Sequence, residues 1–330
     1  MEIVAPYRIR RVYDTTTAPD GKRTLRLSDR GVELSPAVFA LFGRYEEWQS
    51  SQREKTFAEL VGMSDSEADR LLGALADAGV LVSASAEPAV VSGAELNARF
   101  AQLLPTWLNE AFSHPFWERM LSGRGSARLF AGWLFELYHY TRNANRHMPL
   151  ACAHTRLKAV KSLRAKHYAE EWNHYHYFAK ALRGLGYTDS EISESVPLPA
   201  TLAMSNFMRQ AAREDVIAYS VCSAVLEGTT EDRPVYDTYH RRCAELYGLP
   251  QAAIQPIYDH LNLDVQYQHS NLFASILETV PEQSAERAAR VLEYGYAMVE
   301  HIWMWTHDIE RYYEVESNPV PRRPFDPALD

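Results

Sequence analysis

The spacing of hydrophobic residues changes character near residue 90. Before it, short runs rich in Ile, Val and Tyr alternate with polar residues, and the turn Ala18–Gly21 separates two of them, which predicts a hairpin of short strands. Pro36 opens a stretch with apolar residues at helical spacing, and Ser64 with Glu67 forms a capping box ahead of another. Strands and short helices in this order predict a small winged-helix-like α+β domain over residues 1–88.

From Ala94 onward the hydrophobic spacing is helical throughout. A small-residue, proline-containing linker at 83–93 leads into this part. The candidate helices run near 94–104, 115–121, 127–144, 148–160, 164–184, 200–228, 232–247, 250–279 and 284–314. We therefore expect a mainly α protein with a helical bundle over residues 89–330.

Composition narrows the class of protein. Hydrophobic residues make up 46% of the 330 residues, which permits a packed core, and the formal charge of −9 disfavours a nucleic-acid-binding surface. Three scattered cysteines fit neither a disulfide framework nor a cysteine-based zinc site. The sequence has neither an apolar stretch of membrane-spanning length nor a signal-peptide pattern. We therefore expect a cytoplasmic protein that binds neither nucleic acid nor membrane.

The twelve histidines all lie after residue 110, and some of them stand near carboxylates at helical spacing. His167, Glu171 and His174 fall at i, i+4 and i+7, which places them on one side of a continuous helix. The Glu171-x-x-His174 spacing is the one that helical-bundle iron and manganese sites use to present two ligands together.

Two further predicted helices carry carboxylates that suit the same kind of site. His260 and Asp264 are one helical turn apart, and Tyr267 continues their face. Glu227 is the one glutamate of an otherwise apolar and hydroxylic stretch, where a buried carboxylate needs a proton or a cation beside it.

Three helices thus supply mixed imidazole and carboxylate groups, which suit iron or manganese more than structural zinc. The predicted metal ligands are Glu171, His174, Glu227, His260, Asp264 and His167. A single such pair would be explained by surface or capping roles, which is how we interpret Glu170, His176, Asp259 and His240.

Over residues 95–315 the sequence resembles the haem-oxygenase-like diiron oxidases and oxygenases, relatives of pyrroloquinoline-quinone synthase and type II thiaminase. The resemblance rests on FELYHYTRNANRH, the Glu171-x-x-His174 pair, Glu227 and His260-x-x-x-Asp264, in that order. It implies a haem-oxygenase-like bundle of seven or eight helices that holds two irons and activates O2, often in natural-product biosynthesis. Family substrates are amino acids, their derivatives or fatty acids, which undergo N-oxygenation, desaturation or C–C cleavage.

The sequence departs from the family at two positions. Some members have a glutamate where this chain has His167, and many have a histidine where it has Tyr267. His269, nine residues after His260, would lie about 180° round a continuous helix and is a poor replacement. We therefore expect a weakly held second metal, with His167 and Tyr267 as catalytic groups that line or complete the site.

The N-terminal domain resembles, more loosely, the peptide-recognition elements of enzymes that modify ribosomally made precursor peptides. Only the order of strands and helices, ending in ADRLLGALADAGVLV, carries this resemblance. It implies that a leader peptide pairs with an exposed strand edge. The alternative is a domain that packs on the bundle or supports a homodimer.

The leading hypothesis is an iron-dependent oxidase or oxygenase acting on an amino-acid-like group, either a small substrate or part of a carrier or precursor peptide. Tyr140 and Arg142 are candidates to face the substrate. A second hypothesis is a metal-free enzyme like pyrroloquinoline-quinone synthase or thiaminase, with Cys222 as candidate nucleophile, although a small buried core residue explains Cys222 better. A third is a non-catalytic peptide-binding protein.

Overall fold

The structure is a computed structural model that describes residues 7–325 apart from 11, 13, 28–30, 51–54, 84–89, 229–232, 268 and 281. The chain divides into two compact units, residues 1–90 and 91–330. Most of the expected linker lies outside the described residues.

The N-terminal unit combines short antiparallel strands with three helices. Its strands are β1 (Tyr7–Ile9), β2 (Asp14–Thr17), β3 (Arg23–Arg26), β4 (Gly31–Leu34) and β5 (Leu81–Ser83), and its helices are α1 (Pro36–Ser50), α2 (Phe57–Val61) and α3 (Asp65–Asp77). Strand β1 pairs with β5, and β2, β3 and β4 form a separate antiparallel sheet in that order. Strand β6 (Val90–Val91) follows at the boundary between the units.

Local signals in this unit were predicted well. The turn that contains Gly21, whose φ is 82°, joins β2 to β3, as the hairpin prediction requires. Ser64 and Glu67 form the predicted capping box at the start of α3. The winged-helix likeness of the unit stays a prediction.

The larger unit is almost wholly helical, which confirms the mainly α prediction. Its helices are α4 (Gly93–Ala111), α5 (Pro115–Ser122), α6 (Ala127–His154), α7 (Lys158–Glu171), α8 (Tyr175–Gly184), α9 (Asp189–Glu194), α10 (Pro199–Glu214), α11 (Val216–Glu227), α12 (Arg233–Tyr247), α13 (Gln251–Tyr267), α14 (Leu272–Thr279) and α15 (Ala285–Tyr313), with a short strand β7 (Gln283–Ser284) before α15. Helix α6 packs against α7, α8, α10 and α15 and lies at the centre of the unit.

Several predicted helix boundaries are wrong. Helix α6 continues through Pro149 instead of breaking into 127–144 and 148–160, because packing on both sides outweighs the lost hydrogen bond. The predicted helices 164–184, 200–228 and 250–279 are each divided in two. In the second case Asp215 has extended backbone and caps α11 by accepting from the Ile217 N–H.

A buried carboxylate on α6 connects this helix to α10 and α15. Glu136, with 0% of its surface exposed, accepts hydrogen bonds from the Leu198 N–H, the Thr201 hydroxyl and the Tyr313 hydroxyl. Burial raises the pKa of Glu136 to about 7, although these three donors act in the opposite direction.

No helix in the described part of the chain is both long enough and apolar enough to cross a membrane.

Candidate metal centre

Two groups of histidine and carboxylate side chains meet inside the helical unit. Site 1 comprises His167, Glu171, Glu227 and His269, and site 2 comprises His174, His260 and Asp264. Within each group, one possible ligand atom from every residue lies within 4.8 Å of the others.

Site 1 is assembled from three separate segments. His167 and Glu171 are one turn apart near the end of α7, and Glu227 is the last residue of α11. His269 begins a 3₁₀ turn, His269–Asn271, that follows α13. Its Nδ1 lies 2.9 Å from Glu171 Oε1 and 3.9 Å from Glu227 Oε2, and the Nε2 of His167 lies 3.6 Å from Glu227 Oε1.

Site 2 depends on the close approach of α8 and α13. A Cβ atom at Gly184 would overlap the backbone of Ala252, so glycine allows the two helices to pack tightly. His174 lies in the turn just before α8, and its Nδ1 is 3.7 Å from Asp264 Oδ1. One turn earlier on α13, His260 places Nδ1 3.1 Å from Asp264 Oδ2.

Glu171 lies between the two sites. Its Oε1 faces His269 of site 1, while its Oε2 is 3.0 Å from the Nδ1 of His174 in site 2. Asp264 instead brings a single oxygen near both sites, since its Oδ1 is 3.6 Å from His269 Nδ1 and 3.7 Å from His174 Nδ1. Only a carboxylate with one oxygen toward each site, as in Glu171, has the geometry of a bridging ligand.

Five buried atoms that face one another in this cluster form ion pairs but make no hydrogen bond of normal geometry. These buried atoms are His167 Nε2, Glu171 Oε1, His174 Nδ1, Asp264 Oδ1 and His269 Nδ1. An unsatisfied buried polar atom costs about 1–3 kcal/mol, so five in contact call for a common partner. Divalent cations would satisfy the carboxylate oxygens and every imidazole nitrogen that is free of its proton, and a mixed imidazole–carboxylate set suits iron or manganese.

Glu170 holds His269 in a ligand orientation. Its Oε2 is 3.3 Å from His269 Nε2. A proton on Nε2 directed at this carboxylate leaves Nδ1 to face the cluster, the arrangement in which metal-bound histidines are usually held. Glu170 is therefore not the surface or capping residue that the sequence led us to expect.

His167 is held differently from the other histidines. Its Nδ1 lies 3.4 Å from Arg164 Nη1, and a guanidinium only donates. With Nδ1 accepting, the neutral ring carries its proton on Nε2, the nitrogen that faces Glu227. A metal at Nε2 requires loss of that proton or movement of Arg164, so His167 is a less favourable ligand than His269.

The charges of the cluster offset one another when it is free of metal. Burial acts to raise the pKa of Glu171, but His174 and His269 outweigh it and lower that pKa to about 2. Burial acts to lower the pKa of His269, and Asp264 and Glu171 instead raise it to about 11. A metal binding here would therefore find ionised carboxylates and would have to displace a proton from His269.

A cavity of about 270 Å³ adjoins the cluster. His167, Glu171, Glu227, His260 and Asp264 form part of its wall. The rest of the wall is mainly aromatic and aliphatic.

Three tyrosines line this cavity, which we call the metal-adjacent cavity. They are Tyr140, Tyr236 and Tyr219, whose hydroxyl is 2.9 Å from the Nδ1 of buried His147. Arg142, the other expected substrate-facing residue, is exposed and outside the described wall.

The six residues predicted as metal ligands come together, although not in the expected manner. Helix α7 ends at Glu171, so His174 reaches the cluster from a turn and not from the same helical face. The expectation that His269 points away is wrong, because α13 ends at Tyr267 and the 3₁₀ turn redirects the chain. That all of these residues bind metal stays a prediction.

The remaining sequence candidates lie around the centre. Tyr267 is 37% exposed, and its ring stacks on His269 with centroids 5.6 Å apart, outside the described cavity wall. Cys222 is fully buried, its thiol donates to the Tyr294 carbonyl, and burial raises its pKa. His240, interpreted as a surface residue, is buried and lines the metal-adjacent cavity, whereas His176 and Asp259 are exposed as expected.

Comparisons with known proteins agree on the fold. A sequence model of a family described as iron-containing redox enzymes matches residues 131–303, and no curated protein matches the chain. A solved domain of unknown function with a heme oxygenase-like fold, from Shewanella denitrificans OS217, has a TM-score of 0.59 at 18% identity and covers 71% of this chain and 99% of its own. A TenA homolog from Pseudomonas syringae pv. tomato has a TM-score of 0.53 at 12% identity and covers 68% of this chain and 98% of its own. The predicted haem-oxygenase-like bundle is confirmed.

Proposed function

The chain belongs to the family of iron-containing redox enzymes, and from this premise we propose that it is a non-haem diiron oxidase or oxygenase that activates O2. The observation that carries the proposal is the convergence of five buried, unpartnered nitrogen and oxygen atoms from separate segments. Without a metal, these atoms have only ion-pair contacts with one another, outside normal hydrogen-bond geometry.

The two sites divide the ligands between them. Glu227, His269 and Glu171 would hold one iron, with His167 as a further group, and His174, His260 and Asp264 would hold the other. Glu171 would contact both. Iron bound here would supply the electrons and the open coordination position that O2 reduction needs.

The protein's own residues have three tasks in this reaction. Glu171, Asp264 and Glu227 offset the cationic charge, and Glu171 has an oxygen free for either site. Glu170 fixes the orientation of His269. The apolar wall of the metal-adjacent cavity excludes water from the side on which a substrate would lie.

The substrate we propose is an amino-acid-derived group, carried by a small molecule or by a precursor peptide in natural-product biosynthesis. Support for a peptide comes from the N-terminal unit, whose described sheet has β2 and β4 as its outer strands. An outer strand has unpaired backbone groups that can receive an extended peptide.

The metal-free alternative has less support. Its candidate nucleophile, Cys222, donates its thiol proton to a carbonyl and lies outside the described cavity wall. The non-catalytic alternative does not account for the unpartnered atoms.

The direct test is metal content. We expect purified protein, loaded anaerobically with Fe(II), to hold two irons per chain and to consume O2 on exposure to air. Asp264→Asn should lose iron, whereas Asp259→Asn, an exposed aspartate on the same helix, should not. Protein that binds no Fe(II) at excess metal would refute the proposal, and parallel loading with Mn(II) compares the two metals.

A further inference from the structure

The wall of the metal-adjacent cavity is rich in aromatic side chains. Besides the metal cluster it includes Trp117, Trp133, Phe178, Tyr236 and Trp305. Aromatic surfaces of this kind favour flat or apolar groups by burial and by ring stacking. A dry apolar cavity of about 150 Å³ is enough to bind benzene, so about 270 Å³ accommodates a larger group, of the size of two fused rings.

The described wall contains no lysine or arginine. The ionisable groups in it are histidines, tyrosines and the carboxylates of the metal cluster. Arg164 is buried nearby but lies against the ring of Tyr219, 4.9 Å from its centroid, and contributes nothing to the described wall. A carboxylate on a ligand would therefore leave water for a described wall that offers it no lysine or arginine and already holds the carboxylates of the cluster, and such burial is unfavourable.

Apart from its ionisable groups, the wall includes neutral polar residues. Tyr140, Thr141, Tyr219 and Ser223 are hydroxyl-bearing residues among them. Such groups orient a neutral ligand by single hydrogen bonds while the apolar surface supplies most of the affinity.

We propose that the metal-adjacent cavity binds an uncharged, flat and largely apolar group, and that it discriminates against a ligand with a free carboxylate. The proposal rests on the proposed function in taking this cavity as the substrate site. An amino-acid-derived substrate would accordingly enter as a side chain or an amide, with its carboxylate masked or outside the cavity.

The test compares three probes of one shape on the full-length protein, by calorimetry and by the fluorescence of the wall tryptophans. They are neutral indole, anionic indole-3-propionate and cationic tryptamine, measured with metal-free and with anaerobic Fe(II)-loaded protein. We expect indole to bind at least tenfold more tightly than indole-3-propionate to the metal-free protein, in which no metal can accept the carboxylate. We expect it to bind at least tenfold more tightly than tryptamine to the Fe(II)-loaded protein, in which iron offsets the carboxylates of the wall. Equal or tighter binding of the charged probe in either comparison would overturn the proposal.

Variants locate the binding. Ala144 lines the cavity on α6, and Ala153 is exposed on the same helix. Ala144→Phe should abolish indole binding, and Ala153→Phe should leave it unchanged. If Ala144→Phe does not fold, as judged by circular dichroism, Ala144→Leu should still weaken binding, and unchanged affinity in the folded variant contradicts the assignment.

Iron counts on the same samples separate the two proposals. Indole binding in protein that takes no iron would support the cavity assignment and refute the diiron function. Two bound irons without indole binding would support the diiron function and refute the cavity assignment.

Discussion

Replacing Glu170 by glutamine tests how site 1 is oriented. The change keeps the shape of the side chain and removes the negative charge that lies 3.3 Å from His269 Nε2. Loss of such an outer partner typically weakens metal binding about 10–100-fold, or about 1.4–2.8 kcal/mol. We expect the iron held by His269 to weaken by this factor while the iron of site 2 keeps its affinity.

Anaerobic titration of Fe(II) against a competing chelator measures the two affinities separately. Lys166→Gln is the matched control, because Lys166 is exposed and lies 3.8 Å from Glu170 on the other side. It should bind iron like the parent protein. Unchanged binding in Glu170→Gln, or a loss confined to site 2, would refute the reasoning about His269.

Three further outcomes are expected. His269→Ala should lose more site 1 iron than His167→Ala, since Arg164 faces Nδ1 of His167, and equal losses in metal analysis would contradict this. Burial raises the pKa of Glu136 from 4.5 to about 7, so between these pH values the folded protein holds a proton on Glu136 that the unfolded chain has lost. The free energy of unfolding therefore falls by roughly 3 kcal/mol as the pH rises from 4.5 to about 7. Urea unfolding between pH 4 and 8 should show this fall and Glu136→Gln should flatten it; a parallel pH curve would argue against it. Gly132→Ala, whose Cβ would overlap the Tyr313 ring, should destabilise by about 1–3 kcal/mol in thermal melts, and an unchanged melting temperature would count against this packing.

What the sequence predicts best is local structure. The capping box of Ser64 and Glu67, the turn at Gly21 and the pairing of His260 with Asp264 each depend on residues within one turn or hairpin. Their geometry follows from the helical pitch and turn geometry common to all polypeptides, so the spacing of nearby residues is enough to predict it.

Helix ends were harder to predict, and the candidate centre depends on them. Extending α13 beyond Tyr267 rotated His269 away from the cluster, and extending α7 beyond Glu171 put His174 on the wrong element. A signal for the first break was present: a Ser-Asn pair at 270–271 precedes the apolar start of α14, where Asn271 takes the cap position. The second break, after Glu171, depends on the tertiary packing of α8 on α13, and no local sequence pattern predicts it.

The order of the cluster residues along the chain has a consequence for biosynthesis. Before residue 260 is translated, the nascent polypeptide has only His174 of site 2, and site 1 lacks His269 until nine residues later. The full set closes only when the 3₁₀ turn at His269–Asn271 has emerged and docked. Loading of the centre must therefore follow synthesis of nearly the whole bundle, and a ribosome stalled before that point would carry a chain without a complete centre.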